Sequence, residues 1–128
     1  MRKAALIVGN WKSFVASPAD GLALLKSIDK LLPRSVKSTL VVCPPALLGA
    51  YLRANYKGKR IAFGVQDISL SPQGAHTGEV TALLAYASGA RYAIVGHAER
   101  RAAGEGDAQV AAEARAALDA KLTPVICI

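Results

Sequence analysis

The chain has 128 residues, enough for one ordinary domain and too few for two. Its 16 Lys and Arg residues outnumber its 9 Asp and Glu residues, which gives a net charge of +7 with both histidines neutral. A hydrophobic fraction of 52% excludes a disordered chain, and no apolar run approaches the roughly 20 residues that span a bilayer. We therefore expect a single domain over residues 1–128, with no second domain and no membrane partner.

The positive charges are scattered along the chain, and only 5% of the residues are aromatic. This pattern argues against a nucleic-acid partner and favours a solvated surface or a field that attracts small anions. Cys43 and Cys127 lie in apolar runs without metal-ligand or redox partners nearby, which indicates two buried free thiols in a reducing cytoplasm. The apolar stretch after Met1–Lys3 is too short for a secretory signal and is interpreted as a first strand.

Five short apolar runs are continuous rather than alternating, which is typical of strands buried on both faces of a parallel sheet. These predicted strands are Ala4–Val8, Thr39–Cys43, Arg60–Val65, Tyr92–Gly96 and Thr123–Ile128. Segments with helical spacing separate them. The order of strand and helix, repeated four times and closed by a fifth strand, predicts an α/β fold with right-handed crossovers on one parallel sheet.

The four connecting segments carry helix signals. Ser17–Asp20 supplies an N-cap, a proline at the first helical position and an acid in the first turn. The other predicted helices are Pro44–Asn55, Gly78–Ser88 and Glu105–Ala120. The apolar side chains expected to pack are Leu22, Leu25, Ile28 and Leu32 in the first helix, Leu47, Leu48, Tyr51 and Leu52 in the second, Val80, Leu83, Leu84 and Ala87 in the third, and Val110, Ala114, Ala117 and Leu118 in the fourth.

Polar side chains gather where the predicted strands end. They are Asn10 and Lys12 after the first strand, Gln66 and Asp67 after the third, and His97 and Glu99 after the fourth. Each alone has an ordinary structural explanation, such as a surface lysine or a turn asparagine, so their shared position is the signal. The carboxyl ends of parallel strands hold the active sites of such folds. A lysine charge and a histidine proton donor there predict a pocket for an anionic, carbonyl-bearing substrate.

Five motifs, in this order along the chain, resemble the triosephosphate isomerase family. They are Gly9–Lys12, Val41–Pro45, Gly64–Asp67, Gly74–Glu79 and Val95–Arg101. The resemblance implies an eightfold βα barrel of about 250 residues. This chain is similar to its N-terminal half, from the first strand through the fifth, so an incomplete barrel of about five parallel strands and four connecting helices is expected.

The resemblance also implies a reaction, the interconversion of dihydroxyacetone phosphate and D-glyceraldehyde 3-phosphate through an enediolate, in glycolysis and gluconeogenesis. No metal or organic cofactor is implied. Asn10 and Lys12 would bind the small phosphorylated triose, with Lys12 supplying positive charge. His97 would act as a neutral electrophile, as is characteristic of the family, and Glu99 would orient Lys12. Thr77 and His76 would contact the second subunit of a homodimer.

Two parts of the family's machinery have no counterpart in this sequence. In the family the general base is a glutamate after the sixth strand, and backbone amides near a Gly-Gly pair hold the phosphate. No Gly-Gly pair occurs here. The carboxylates after His97 all fall in predicted helices or helix entries: Glu99, Glu105, Asp107, Glu113 and Asp119. The chain alone is therefore expected to be inactive.

Two departures from the family pattern and two alternative interpretations stay open. Ala98 and Gly106 stand where the family usually has serine, and the first change affects a group that contacts the base. The main alternative is a non-catalytic half-barrel that folds or self-associates through its open edges. A weaker one, which the motif order disfavours, is a flavodoxin-like protein that binds small phosphates.

Overall fold

The computed structural model describes residues 4–128, so Met1–Lys3 and their interpretation as the flank of a strand lie outside it. The elements are β1 (Leu6–Asn10), α1 (Pro18–Leu31), β2 (Thr39–Cys43), α2 (Ala46–Asn55), β3 (Ile61–Val65), α3 (Ala82–Ala87), β4 (Tyr92–Val95), α4 (Ala98–Ala102), α5 (Asp107–Asp119) and β5 (Thr123–Ile126). No helix within the described residues is both long and apolar enough to cross a membrane.

The five strands form one sheet in chain order, β1-β2-β3-β4-β5, and every neighbouring pair is parallel. A flavodoxin-like sheet has the order 2-1-3-4-5, so the sequential order excludes that alternative. Sequential parallel strands joined by helical crossovers build the wall of a βα barrel. The expected incomplete α/β barrel is confirmed.

The three central strands, β2 to β4, are largely buried, as the continuous apolar runs predict, whereas the edge strands β1 and β5 contain no buried residue, which corrects that expectation for them. The outer face packs against the helices in two clusters, one around Phe63 and Leu25 and one around Ala93. The inner face holds a smaller cluster built on Val41, Cys43 and Ile94. Each strand contributes to both faces because successive side chains point in opposite directions. Burial on both faces fixes the register of the strands whose ends carry the polar side chains.

Of the two thiols predicted to be buried, only Cys43 is; Cys127 is partly exposed, which corrects that expectation. Burial raises the pKa of the Cys43 thiol to about 12, so almost none of it is thiolate at neutral pH. We expect a thiol-specific reagent at pH 8 to label Cys127 first and Cys43 only after denaturation. Peptide mapping of the labelled chain measures this order, and Cys127→Ser is the control that removes the fast phase. Rapid labelling of Cys43 in that folded variant would contradict the inner-face packing.

Helix α1 follows its sequence signals. The Ser17 side chain accepts a hydrogen bond from the backbone N–H of Asp20 at 3.1 Å, which satisfies one of the free donors at the helix start. Leu25 is fully buried, and Leu22, Ile28 and Leu32 pack partly buried around the same cluster. The predicted face of this helix is confirmed.

Most predicted bounds differ from the observed ones by one or two residues, and the differences at β1 and α3 have identifiable causes. β1 is Leu6–Asn10 rather than 4–8, because its ladder with β2 pairs Asn10 with Cys43 and so includes a polar residue. α3 begins at Ala82 rather than Gly78, because the Thr81 side chain caps the helix. Its buried residues are Ala82 and Ala85, so the expected packing of Leu83 and Leu84 is wrong: both are exposed.

The connection between β4 and β5 contains two helices, α4 and α5, where one was predicted. On α5, Val110, Ala114 and Ala117 are buried as expected, whereas Leu118 is more than half exposed. The buried face instead includes Glu113, which lies three residues after Val110 and four before Ala117. In α2, Leu48 and Leu52 are buried while Leu47 and Tyr51 are exposed.

Candidate active site

The polar side chains that follow the strands converge on one cavity of about 210 Å³. Its lining residues are Asn10, Lys12, Gln66, Asp67, His97, Glu99 and Arg100. The six residues predicted from the strand ends are all among them. The cavity is smaller than the 300–1,000 Å³ typical of ligand pockets, and it is open on one side of the half-barrel.

Lys12 has an unusual backbone conformation. Its φ of +50° lies in the left-handed region, which costs a residue with a side chain about 1–2 kcal/mol. The side-chain oxygen of Asn10, the last residue of β1, accepts a hydrogen bond from the Lys12 N–H at 2.9 Å. The Gln66 side-chain amide donates to the Lys12 carbonyl at 2.7 Å. These two bonds hold the turn that directs the lysine into the cavity, and such strain is characteristic of functional sites.

Gln66 joins three strand ends. Its amide nitrogen also donates to the Cys43 carbonyl at 2.9 Å, so one side chain after β3 connects the ends of β1 and β2. The sequence marks Gln66 as a polar residue at a strand end but does not show this bridging. Its position directly after a buried strand is the signal, because a long amide there can reach neighbouring carbonyls.

The Lys12 ammonium contacts the Glu99 carboxylate. The Lys12 Nζ lies 2.7 Å from Glu99 Oε1, across 87 positions of sequence. The hydrogen bond from Lys12 lowers the pKa of the Glu99 carboxyl below its ordinary value, with a further contribution from the Lys12 charge. The two side chains are 42% and 63% exposed, so the pair fixes geometry more than it stabilises the fold.

His97 caps the N-terminus of α4. Gly96, with φ of +67°, turns the chain out of β4, and the His97 Nδ1 accepts a hydrogen bond from the Glu99 backbone N–H at 3.2 Å. An Nδ1 that accepts carries no proton, so the hydrogen of the neutral ring lies on Nε2. The ring therefore offers one N–H donor.

Arg101, which the sequence analysis did not single out, secures the turn before His97. Its Nε donates to the Gly96 carbonyl at 2.8 Å and its Nη2 to the Cys127 carbonyl at 3.0 Å. Its Nη1 bonds Asp107 Oδ1 at 2.6 Å. One side chain thereby connects the ends of β4 and β5 and the start of α5.

His76 and Thr77 lie apart from this cavity. Residues 74–79 form an exposed loop between β3 and α3, and none of them lines the cavity around Lys12. Their role in contacting a second subunit stays a prediction.

Known proteins share both the sequence pattern and the fold of this chain. A family model described as triosephosphate isomerase matches residues 5–128. The triosephosphate isomerase of Bradyrhizobium diazoefficiens is 44% identical over 126 residues, covering 96% of this chain and 49% of that protein. That of Delftia acidovorans is 41% identical over 127 residues, covering 98% of this chain and 51% of that protein.

A solved structure has the same fold. The crystal structure of triosephosphate isomerase from Bartonella henselae matches with a TM-score of 0.88 at 31% identity, covering 98% of this chain and 52% of that one. The chain thus spans about half the length of the relatives it matches. Because the family model covers nearly every residue, the chain belongs to the triosephosphate isomerase family.

Proposed function

We propose that this chain carries the electrophilic half of a triosephosphate isomerase active site. Within a complete barrel it serves the interconversion of dihydroxyacetone phosphate and D-glyceraldehyde 3-phosphate by proton transfer through an enediolate. The observation that carries the proposal is the contact of Lys12 with Glu99, at 2.7 Å, beside His97 at the carboxyl end of the sheet.

Lys12 and Asn10 bind the substrate, and Lys12 also stabilises the negative charge that develops during the reaction. The Lys12 ammonium supplies a positive charge to an anionic substrate and to the negative charge that develops on its oxygen. Glu99 holds that ammonium in the cavity, so the charge is in place when the substrate arrives. Asn10 positions the Lys12 backbone through its side-chain oxygen, at 2.9 Å.

His97 acts on the substrate's oxygen atoms. Its Nε2–H donates to the carbonyl oxygen as the α-proton leaves, which stabilises the enediolate. Because Nδ1 accepts from the Glu99 backbone N–H, the ring is fixed in the tautomer that makes this donation. The ring can then exchange its proton between the two neighbouring oxygens of the enediolate.

The proton abstraction needs a base that this chain does not offer to the cavity. Glu99 is engaged by Lys12, Asp67 is engaged by Arg100 at 3.1 Å, and Glu105 and Glu113 are buried away from solvent. In a complete barrel we expect the base and the phosphate-binding amides to come from the second half. The chain alone is therefore expected to have no turnover above background.

A two-part assay tests this proposal. The purified chain, checked by intact mass, is assayed for isomerisation of glyceraldehyde 3-phosphate, alone and after co-expression with the second half of the Bradyrhizobium diazoefficiens relative. We call that co-expressed assembly the complemented barrel. We expect no turnover in the first case and isomerisation in the second that His97→Gln reduces by about 10²-fold or more.

The results of this assay test separately the role of His97 and the expectation that this chain lacks a base. Undiminished activity of the complemented barrel after His97→Gln contradicts the assigned electrophile. Turnover by the chain alone that His97→Gln abolishes shows that a base within this chain was overlooked. Lys26→Ala, which changes an exposed lysine of α1, is the matched control and is expected to leave turnover unchanged.

The proposed assembly of the complete enzyme is a cytoplasmic homodimer that contacts its partner through Thr77 and His76. Exposure of the whole loop at residues 74–79 supports this assignment, because a side chain must be accessible to reach a second subunit.

A non-catalytic self-associating half-barrel is the second candidate. Exposed apolar side chains on the edge strands favour it, namely Leu6 and Ile7 on β1 and Ile126 on β5. Light scattering of the chain alone and of the complemented barrel distinguishes the candidates. Self-association that persists after complementation, without isomerisation, supports the structural module.

A further inference from the structure

A cluster of three carboxylates lies beside the candidate active site and has no part in the proposed reaction. Asp67 follows β3, Glu105 precedes α5, and Glu113 lies on the buried face of α5. One carboxylate oxygen of each lies within 4.8 Å of one from each of the others. Glu105 and Glu113 are only 8% and 1% exposed. Such proximity of buried like charges requires a compensating group.

Each carboxylate is only half satisfied. The Arg100 Nε lies 2.7 Å from Glu105 Oε1 and 3.1 Å from Asp67 Oδ2, and the Gln109 amide donates to Glu113 Oε1 at 3.0 Å. The second oxygen of each of the three carboxylates is buried without a hydrogen-bond partner among residues 4–128. Three unpartnered oxygens on clustered carboxylates point to an absent ligand.

The net charge of the cluster and its three unpartnered oxygens indicate what that ligand is. Three carboxylates and Arg100 leave a formal charge of −2 when all are ionised. Two protons would also neutralise that charge, but they cannot gather three oxygens around one centre, and a water molecule leaves the charge unchanged. Hard divalent cations prefer carboxylate oxygens and can bind all three at once. We propose that Asp67, Glu105 and Glu113 bind one Ca²⁺ or Mg²⁺ ion, with Arg100 and Gln109 orienting the carboxylates.

The surroundings of the cluster fit a cation. A neighbouring polar cavity of about 190 Å³ is lined in part by Glu113, Gln109 and Glu79. It gives the ion an entry path and room for the waters that complete its coordination.

The bound ion has a structural role. It connects the segment after β3 to α5, because Asp67 belongs to the first and Glu113 to the second. Asp67 also lines the cavity around Lys12, but the ion takes no part in the proposed reaction, so its test does not require turnover.

Calorimetric titration of the chain with Ca²⁺ and with Mg²⁺ at constant ionic strength tests the proposal. We expect one site per chain with a dissociation constant on the order of 10⁻⁵ to 10⁻³ M for at least one of the two ions. Thermal unfolding is expected to shift upward with the ion that binds, because a ligand of the native state stabilises it. Paramagnetic Mn²⁺ can replace either ion in this test. The loss of the electron paramagnetic resonance signal of unbound Mn²⁺ then counts the ions bound per chain.

Variants identify the ligands. Glu113→Gln and Glu105→Gln preserve side-chain shape and are each expected to weaken binding by at least about 10-fold. Asp119→Asn, at an exposed position of α5, is the matched control and is expected to bind as the unchanged chain does. Absence of saturable binding by the unchanged chain overturns the proposal, as does binding that both glutamine variants retain. An upward shift in thermal unfolding that NaCl reproduces at matched ionic strength also overturns it.

Discussion

Replacing Lys12 with alanine is expected to reduce the isomerase activity of the complemented barrel by about 10³-fold or more while the fold survives. The reduction follows from the loss of a positive charge placed where negative charge develops, since one preorganised group of this kind contributes about 10²- to 10³-fold. Lys12 additionally attracts the anionic substrate, so we expect kcat to fall and KM to rise. Steady-state kinetics in both directions measure this change.

The fold is expected to survive because the Lys12–Glu99 pair is exposed. Such pairs contribute about 0.2–1 kcal/mol to the free energy of unfolding. The Lys12 backbone, by contrast, is strained at φ of +50°. Lys12→Gly relieves that strain. Its free energy of unfolding is expected to be up to about 1 kcal/mol higher than that of Lys12→Ala. Urea denaturation at matched protein concentration compares the two variants.

The pair of variants separates charge from backbone strain. If Lys12→Gly were more stable than Lys12→Ala and equally inactive, the strained turn would exist to deliver the ammonium to the cavity. Normal turnover in Lys12→Ala would contradict the role of Lys12. The control is Lys26→Ala, which removes an exposed lysine from α1 and is expected to change neither activity nor stability.

The positions of the strands and of the site could be predicted from the sequence because both depend on short, local patterns. The run Thr39–Cys43 has the predicted bounds, and the other four predicted strands overlap the observed ones. Lys12 and His97 follow such runs directly, so parallel topology alone brings them to one edge of the sheet. The contact between Lys12 and Glu99 follows from the same topology, because it joins two strand ends that are far apart in sequence.

Helix faces were harder to predict because small residues can pack as tightly as large ones. In α3 the buried residues are alanines, and Leu83 and Leu84 face outward. Apolar periodicity favours the leucines, whereas the observed packing buries the smaller alanines. In α5 the periodicity contained a usable signal, since Glu113 occupies a position on the apolar face. A carboxylate on the apolar face of a helix indicates burial, which the helical spacing alone does not reveal.

The cavity also depends on long-range hydrogen bonds that no local pattern reveals. Gln66 reaches the carbonyls of Lys12 and Cys43, and Arg101 reaches that of Cys127. Both side chains have many rotamers, so their partners follow from the assembled sheet and not from sequence spacing. They make the loops around the cavity mutually dependent, and the turn at Gly96 is one of those loops.

Replacing Gly96 with alanine is expected to lower the free energy of unfolding by about 3 kcal/mol. The residue has φ of +67°, where alanine costs about 1–2 kcal/mol. An alanine Cβ would also lie 2.7 Å from the Val110 Cγ1 in the buried cluster beneath α5. Overpacking of a core site costs a further 1–3 kcal/mol, roughly. Urea denaturation of the complemented barrel at fixed concentration measures the loss.

Two further variants separate the backbone cost from the overpacking. Gly78→Ala also has a positive φ, of +87°, but its Cβ would meet nothing within 4 Å, so we expect it to show the backbone cost alone. Val110→Ala removes the atoms that the Cβ of Gly96→Ala would meet. The double variant is therefore expected to lose about 1 kcal/mol less free energy of unfolding than the sum of the losses in the two single variants. Strict additivity would show that the close contact with Val110 is relieved without cost.

The same variants show whether the turn at Gly96 also serves the reaction. Because Gly96 directly precedes His97, a displaced turn moves the imidazole away from the position in which it donates to the substrate. We therefore expect the activity of the complemented barrel to fall further in Gly96→Ala than in a comparably destabilised Val110→Ala. If the two variants lost activity equally, the turn would act only through stability.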